Sequence, residues 1–212
     1  MEPKRPMVRL RRALCVLFLL AAGTPPTFAQ EEALAAQPGE PERSFFVFGG
    51  ALTSDWFGEA FNPLGVRYTP YAVFGMGYRQ EALTFDSGFN LGVETGAALR
   101  TDPEAASMEV WFGTYIGHEG PVLMDTLRIS PSLTFGLSAA TGTTAVERER
   151  QRREGGTGSS DLLFYLSPEV AISHVDSPDV EVFWRLHHRS AAWHTLGVAS
   201  SDATTLGLRF KF

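Results

Sequence analysis

The chain has 212 residues, with 18 Lys and Arg against 24 Asp and Glu, and a formal net charge of −6 at pH 7. An acidic balance of that kind argues against a nucleic-acid partner, which needs a basic surface. The one cysteine, Cys15, excludes an internal disulfide, so rigidity has to come from hydrogen bonding and packing.

Lys4, Arg5, Arg9, Arg11 and Arg12 precede the apolar run ALCVLFLLAAG (13–23), and Thr27-Phe28-Ala29 gives a small-x-small cleavage site before Gln30. This is the layout of a cleaved secretory signal peptide over residues 1–29. The apolar run is too short to cross a bilayer as a helix. Residues 30–43 are polar and carry Pro and Gly, which predicts a mobile leader. The remaining chain, 44–212, is one domain by length.

From Ser44 onward the hydrophobic period is two. SFFVFGGAL opens the pattern. In YAVFGMGYRQ the apolar set is Ala72, Phe74, Met76 and Tyr78, and in GFNLGVETGAALR it is Phe89, Leu91, Val93, Ala97 and Leu99. MEVWFGTYIG places Val110 and Phe112 against Glu109 and Gly113. TLRISPSLTFGLSAA places Leu133, Phe135 and Leu137 against Ser132, Thr134 and Ser138. DLLFYLSPEVAIS places Phe164, Leu166 and Val170 against Ser167 and Glu169. Strict alternation signals half-buried strands. With two more at the end there are about eight segments of about ten residues, the length and an even number suited to a small transmembrane barrel. Inside lipid such a sheet has to close on itself, which predicts an all-β, eight-stranded antiparallel transmembrane β-barrel.

A soluble sandwich or lipocalin-like barrel would also alternate, but around a dry interior. Here the minority face carries Glu94, Glu109 and Glu169 with Arg128, Arg185 and Arg209, signs that neutralise one another in a narrow lumen. The chain ends TLGLRFKF, with Leu206, Leu208, Phe210 and Phe212 on one face, and a terminal aromatic of this kind resembles the recognition signal of outer-membrane barrels. Short links at 84–87, 118–122 and 174–179 alternate with mostly longer ones at 54–69, 101–107, 141–160 and 191–201, the asymmetry of periplasmic turns and extracellular loops. The longest holds ERERQRREGG, read as a solvated loop whose Arg148, Arg150, Arg152 and Arg153 could alternatively meet lipopolysaccharide phosphates.

The seventh segment, VEVFWRLHHRS, puts Val180, Val182, Trp184 and Leu186 outward, so His188 and Ser190 continue that row while Arg185, His187 and Arg189 point into the lumen. In the eighth the outward set is Leu206, Leu208 and Phe210, and by extension Thr204 and Asp202. His188, Ser190 and Asp202 thus share one face of one hairpin near its extracellular tip. A register pairing Ser190 with Asp202 sets His188 opposite Thr204 and diagonal to Asp202, within side-chain reach. A serine, an imidazole and a carboxylate are the parts of an activated-serine esterase, and their outward placement suits a membrane lipid as substrate.

The run Arg185-Leu186-His187-His188-Arg189-Ser190, with the closing Leu206–Phe212, resembles the lipid A 3-O-deacylase (PagL-type) family and the related barrels often labelled acyloxyacyl hydrolase. Weaker likeness extends to Asn62-Pro63-Leu64, Gly92-Val93-Glu94 and Phe164-Tyr165-Leu166. The resemblance implies a bacterial outer-membrane hydrolase that removes an ester-linked acyl chain from lipid A without a cofactor. It makes His188 the general base, Ser190 the nucleophile and Asp202 the acid. Two positions depart from the family: Asp202 stands where it has glutamate, and Ala191 where it usually has an asparagine implicated in the oxyanion hole. A structural barrel that has lost the chemistry and a lipid acyltransferase are the competing functions, and monomer and homodimer are both open. His118 and His174 fall in turns without metal-ligand spacing, and Trp193 reads as an interface aromatic.

Overall fold

A computed structural model describes residues 41–102, 106–156 and 161–212. The expected signal peptide and all but the last residues of the expected leader lie outside the described residues. Eight long antiparallel strands form the body: β1 Arg43–Thr53, β2 Tyr68–Thr84, β3 Phe89–Arg100, β4 Ser107–His118, β6 Leu127–Ala140, β7 Leu162–His174, β8 Ser177–Ser190 and β9 Ser200–Lys211. β5, Val122–Leu123, is a two-residue strand that folds back on β6. Each long strand pairs with its neighbour in sequence, β1 pairs with β9, and β4 pairs with β6, so the sheet closes and no edge is left.

The period-two pattern decides which side chains go where. In β4, buried and exposed residues alternate from Ser107 to Ile116, with Glu109, Trp111 and Tyr115 inside and Val110, Phe112 and Ile116 outside. Phe74, Met76, Phe135, Val182 and Leu206 continue an apolar outer face, a surface that suits hydrocarbon and not water. The lumen is filled. Arg185, fully buried, donates to Glu94 and Glu169 and lies over the Phe46 ring at 4.4 Å. Arg79 and Arg209 join the same carboxylates. Nearer the long-loop end, His187 Nε2 meets Glu109 at 3.1 Å and Tyr165 stacks on Trp111. Each buried charge has a partner of opposite sign, as a narrow dry interior requires.

Three expectations need correction. Arg128 is not a lumen residue; it lies at the barrel end, with its side chain 35% exposed, and pairs with Glu119. The link expected at 118–122 is longer, because β5 and a turn through Met124 and Asp125, both at positive φ, occupy it. The 141–160 segment is not simply a solvated loop. Helix α1, Ala145–Arg153, forms there behind a capping box in which the Thr144 hydroxyl accepts from the Glu147 amide and the Glu147 carboxylate accepts from the Thr144 amide at 2.7 Å. The helix docks in the long-loop mouth of the barrel with Val146, Glu147, Arg150 and Gln151 buried. Glu147 accepts from Arg100 of β3 and Arg189 of β8, both at 2.7 Å, and from Ser201 of β9 at 3.2 Å.

Candidate active site

β8 and β9 pair without a bulge from Val180↔Phe210 to Ser190↔Ser200. Face parity along the hairpin is therefore kept to its tip, and His188, Ser190 and Asp202 lie in one row, as read from the sequence. The register differs by two residues from the one drawn there. His188 stands directly opposite Asp202, and Thr204 is opposite Leu186. Direct opposition is what lets the shorter aspartate reach: Asp202 Oδ1 lies 2.7 Å from His188 Nδ1. An ionised carboxylate only accepts, so Nδ1 is the donor in this bond, and in the neutral tautomer that leaves Nε2 as the acceptor of the ring.

The row is not open to lipid at this height. His188 is 7% exposed and Asp202 is fully buried, because the 54–67 connection folds over them. Its Asp55 anchors Arg67 by side-chain and backbone bonds at 2.6 Å, and its Phe57 ring packs 4.4 Å from the His188 ring, centroid to centroid. The other oxygen of Asp202 accepts from Arg150 Nη1 of α1 at 2.6 Å. Arg150 also donates to Ser200 Oγ, Thr53 O and Asp55 O, and its guanidinium lies 5.2 Å from the centre of the Trp56 ring.

Ser190 is half-buried and lines, with His188 and Asp202, a groove of about 570 Å³ on the outside of the barrel wall. Phe135, Phe164 and Leu166 of β6 and β7 form its apolar side, the two phenylalanine rings stacked at 6.0 Å. Ala191, Ala192, Trp193 and His194 form its upper lip, where residues 192–194 all hold positive φ. Among the described residues no hydrogen bond joins Ser190 to the imidazole, and both residues line the groove. The Ala191 amide donates to Ala199 O at 2.9 Å, which commits it to the loop. His194 is a side-chain donor at the lip. Among the described residues no group of three or more His, Cys, Asp or Glu side chains is placed to hold a metal ion. His187 and Arg189 point inward, His187 to Glu109 and Arg189 to Ser138 and Glu147.

The sequence reading missed Trp56, Phe57 and the inward role of α1. For α1 a signal was present in Thr144-x-x-Glu147; for the two aromatics, which sit in an irregular connection, there was none.

No family model matches the chain, and no curated protein does. Solved structures do. The outer membrane enzyme PagL is 13% identical, covers 79% of this chain and 98% of its own, and superposes with a TM-score of 0.55. Neisserial surface protein A (NspA) is 11% identical over 81% of this chain and 96% of its own, TM-score 0.46. Ail, the attachment invasion locus protein of Yersinia pestis, is 10% identical over 82% of this chain and all of its own, TM-score 0.43. At such identities PagL supports the fold alone. Closure without an edge, an apolar outer face and that shared fold locate the protein. It is an outer-membrane β-barrel. Outer-membrane barrels carry their long loops on the cell exterior and their short turns in the periplasm, and the groove lies beneath the long loops.

Proposed function

We propose that this barrel is an ester hydrolase acting on an acylated lipid of the outer leaflet, lipid A being the substrate its sequence resemblance implies. The observation that carries the reading is the His188–Asp202 bond, which orients the imidazole beside an apolar outer-wall groove that Ser190 lines. In this reading an acyl chain lies against Phe135, Phe164 and Leu166 with its ester at the lip. Ser190 Oγ attacks the carbonyl carbon while His188 Nε2 takes the hydroxyl proton. The C–O bond to the sugar breaks, and the sugar alcohol leaves with the proton from His188. Water, deprotonated by the same nitrogen, then releases the fatty acid and restores Ser190. Asp202 stabilises the imidazolium formed in both halves.

The commitment of the Ala191 amide to Ala199 O favours a second reading, a barrel that keeps the scaffold without the chemistry. Loss of one oxyanion donor typically costs about 10²–10³ in rate. Mass spectrometry of lipid A from a Gram-negative host expressing the chain, beside Ser190→Ala and His188→Ala, tests the proposal. Loss of one hydroxyacyl mass that both variants abolish supports hydrolysis. An added acyl mass means transfer to another acceptor, and unchanged lipid A with the barrel inserted means the second reading.

A further inference from the structure

We infer that Arg150 is a positioning residue for the acid–imidazole pair, and that the extracellular helix α1 is thereby part of the site's working geometry. The inference rests on the ester-hydrolase reading and deepens it. Asp202 has two oxygens and two partners: Oδ1 faces His188 and Oδ2 faces Arg150 at 2.6 Å. A carboxylate held at one oxygen only can rotate about its Cβ–Cγ bond and swing away from the ring. Held at both, its plane is fixed, and with it the ring. Arg150 is itself 2% exposed, and its second nitrogen is tied to the carbonyls of Thr53 and Asp55, so it is anchored to the barrel rim and not merely to its own helix. It also brings a positive charge to a carboxylate that has no access to water. An arginine suits this position because its planar fork serves Asp202 and the rim carbonyls at once, which a lysine cannot do.

The consequence is a link between loop and chemistry. Glu147, one turn earlier on α1, seats the helix on Arg100 and Arg189, and Arg150 then reaches Asp202. If α1 leaves the mouth, the serine and histidine remain in place on β8 but the acid loses its second anchor.

The test uses the full chain in detergent micelles with a p-nitrophenyl acyl ester as probe, and ¹⁵N-histidine labelling of the same samples. Arg150→Gln should lower kcat about 10- to 100-fold with KM within about twofold, while the barrel keeps its heat-modifiable mobility. Arg150→Lys should recover part of the loss. In an Asp202→Asn background, Arg150→Gln should cost nothing further, because the arginine acts through that carboxylate. The His188 ring signals, assigned against His188→Gln, should show Nδ1 protonated in the parent chain and a mixture of tautomers in Arg150→Gln. An unchanged kcat, or a loss that multiplies with that of Asp202→Asn, overturns the inference. A parent chain inactive on the ester sinks the hydrolase reading instead. In that case the ring signals decide, a tautomer shift in Arg150→Gln upholding the positioning role and its absence overturning it.

Discussion

Glu147→Ala removes a carboxylate that ties α1 to three strands. Glu147 is fully buried and its Oε1 accepts from two arginines and a serine, while Oε2 closes the capping box. Removing one partner of a buried ion pair costs about 3–5 kcal/mol, because the other charge is left uncompensated. Here Glu109 lies 3.4 Å from Arg100 and 3.5 Å from Arg189, so both arginines keep some counter-charge. That places the cost near the lower end, about 3 kcal/mol. Each 1.4 kcal/mol is a factor of ten, so the population with α1 undocked should rise about 100-fold. Trypsin reads this directly: Arg148, Arg150, Arg152 and Arg153 are all in or at the end of α1, and a helix must unwind before it is cut. Where the helix re-docks faster than it is cleaved, the nicking rate follows the open population. The expected outcome is cutting within α1 about 100 times faster than in the parent chain, with the barrel still folded on unheated gels. Glu147→Gln keeps an acceptor and should give a smaller increase. Equal nicking of the parent and Glu147→Ala would refute the docking energetics.

The same residue sets an acid limit. Burial pushes the Glu147 carboxyl up, but Arg100, Arg189 and the Thr144 amide outweigh it and leave its pKa below the usual value of 4.5. A depressed carboxyl contributes stability that is fully present above its unfolded value and lost as pH falls through the folded one. Amide-exchange protection of α1 should therefore stay level from pH 7 to about 5 and decline only in stronger acid; decline between 7 and 5 would contradict it. In the lumen, a Cβ on Gly96 would sit 2.2 Å from Trp111 Cζ2, and Trp111 is held by Glu94 at 2.9 Å. Gly96→Ala should lower barrel stability by about 1–3 kcal/mol, seen as a lower urea midpoint; an unchanged midpoint would mean that the ring moves without cost.

The strands were legible because period two is a local property: whichever way Glu94 or Glu169 turned, its neighbours turned the other way. Parity also placed His188, Ser190 and Asp202 on one row before any register was known. Register itself was not legible, since a slip of two residues keeps every side chain on its face. That is why Asp202 was set opposite Ser190 and is found opposite His188. The covering of the row was not legible either. Phe57 and Arg150 come from connections more than thirty residues away from His188, and only the closed barrel brings them there. Arg128 was misplaced because alternation says which face a residue is on, not how close it stands to the end of the lumen.

The packed interior has a consequence for the cell. Among the described residues, Phe46, Trp111 and Tyr165 are buried among paired arginines and carboxylates, a packing that predicts a closed barrel axis. Planar bilayers holding the purified chain should show no stepwise ionic current, and cells expressing it should stay as resistant to bulky antibiotics as before. A site on the rim and outer wall, as proposed above, is one that can act on the membrane while a packed interior keeps the permeability barrier intact.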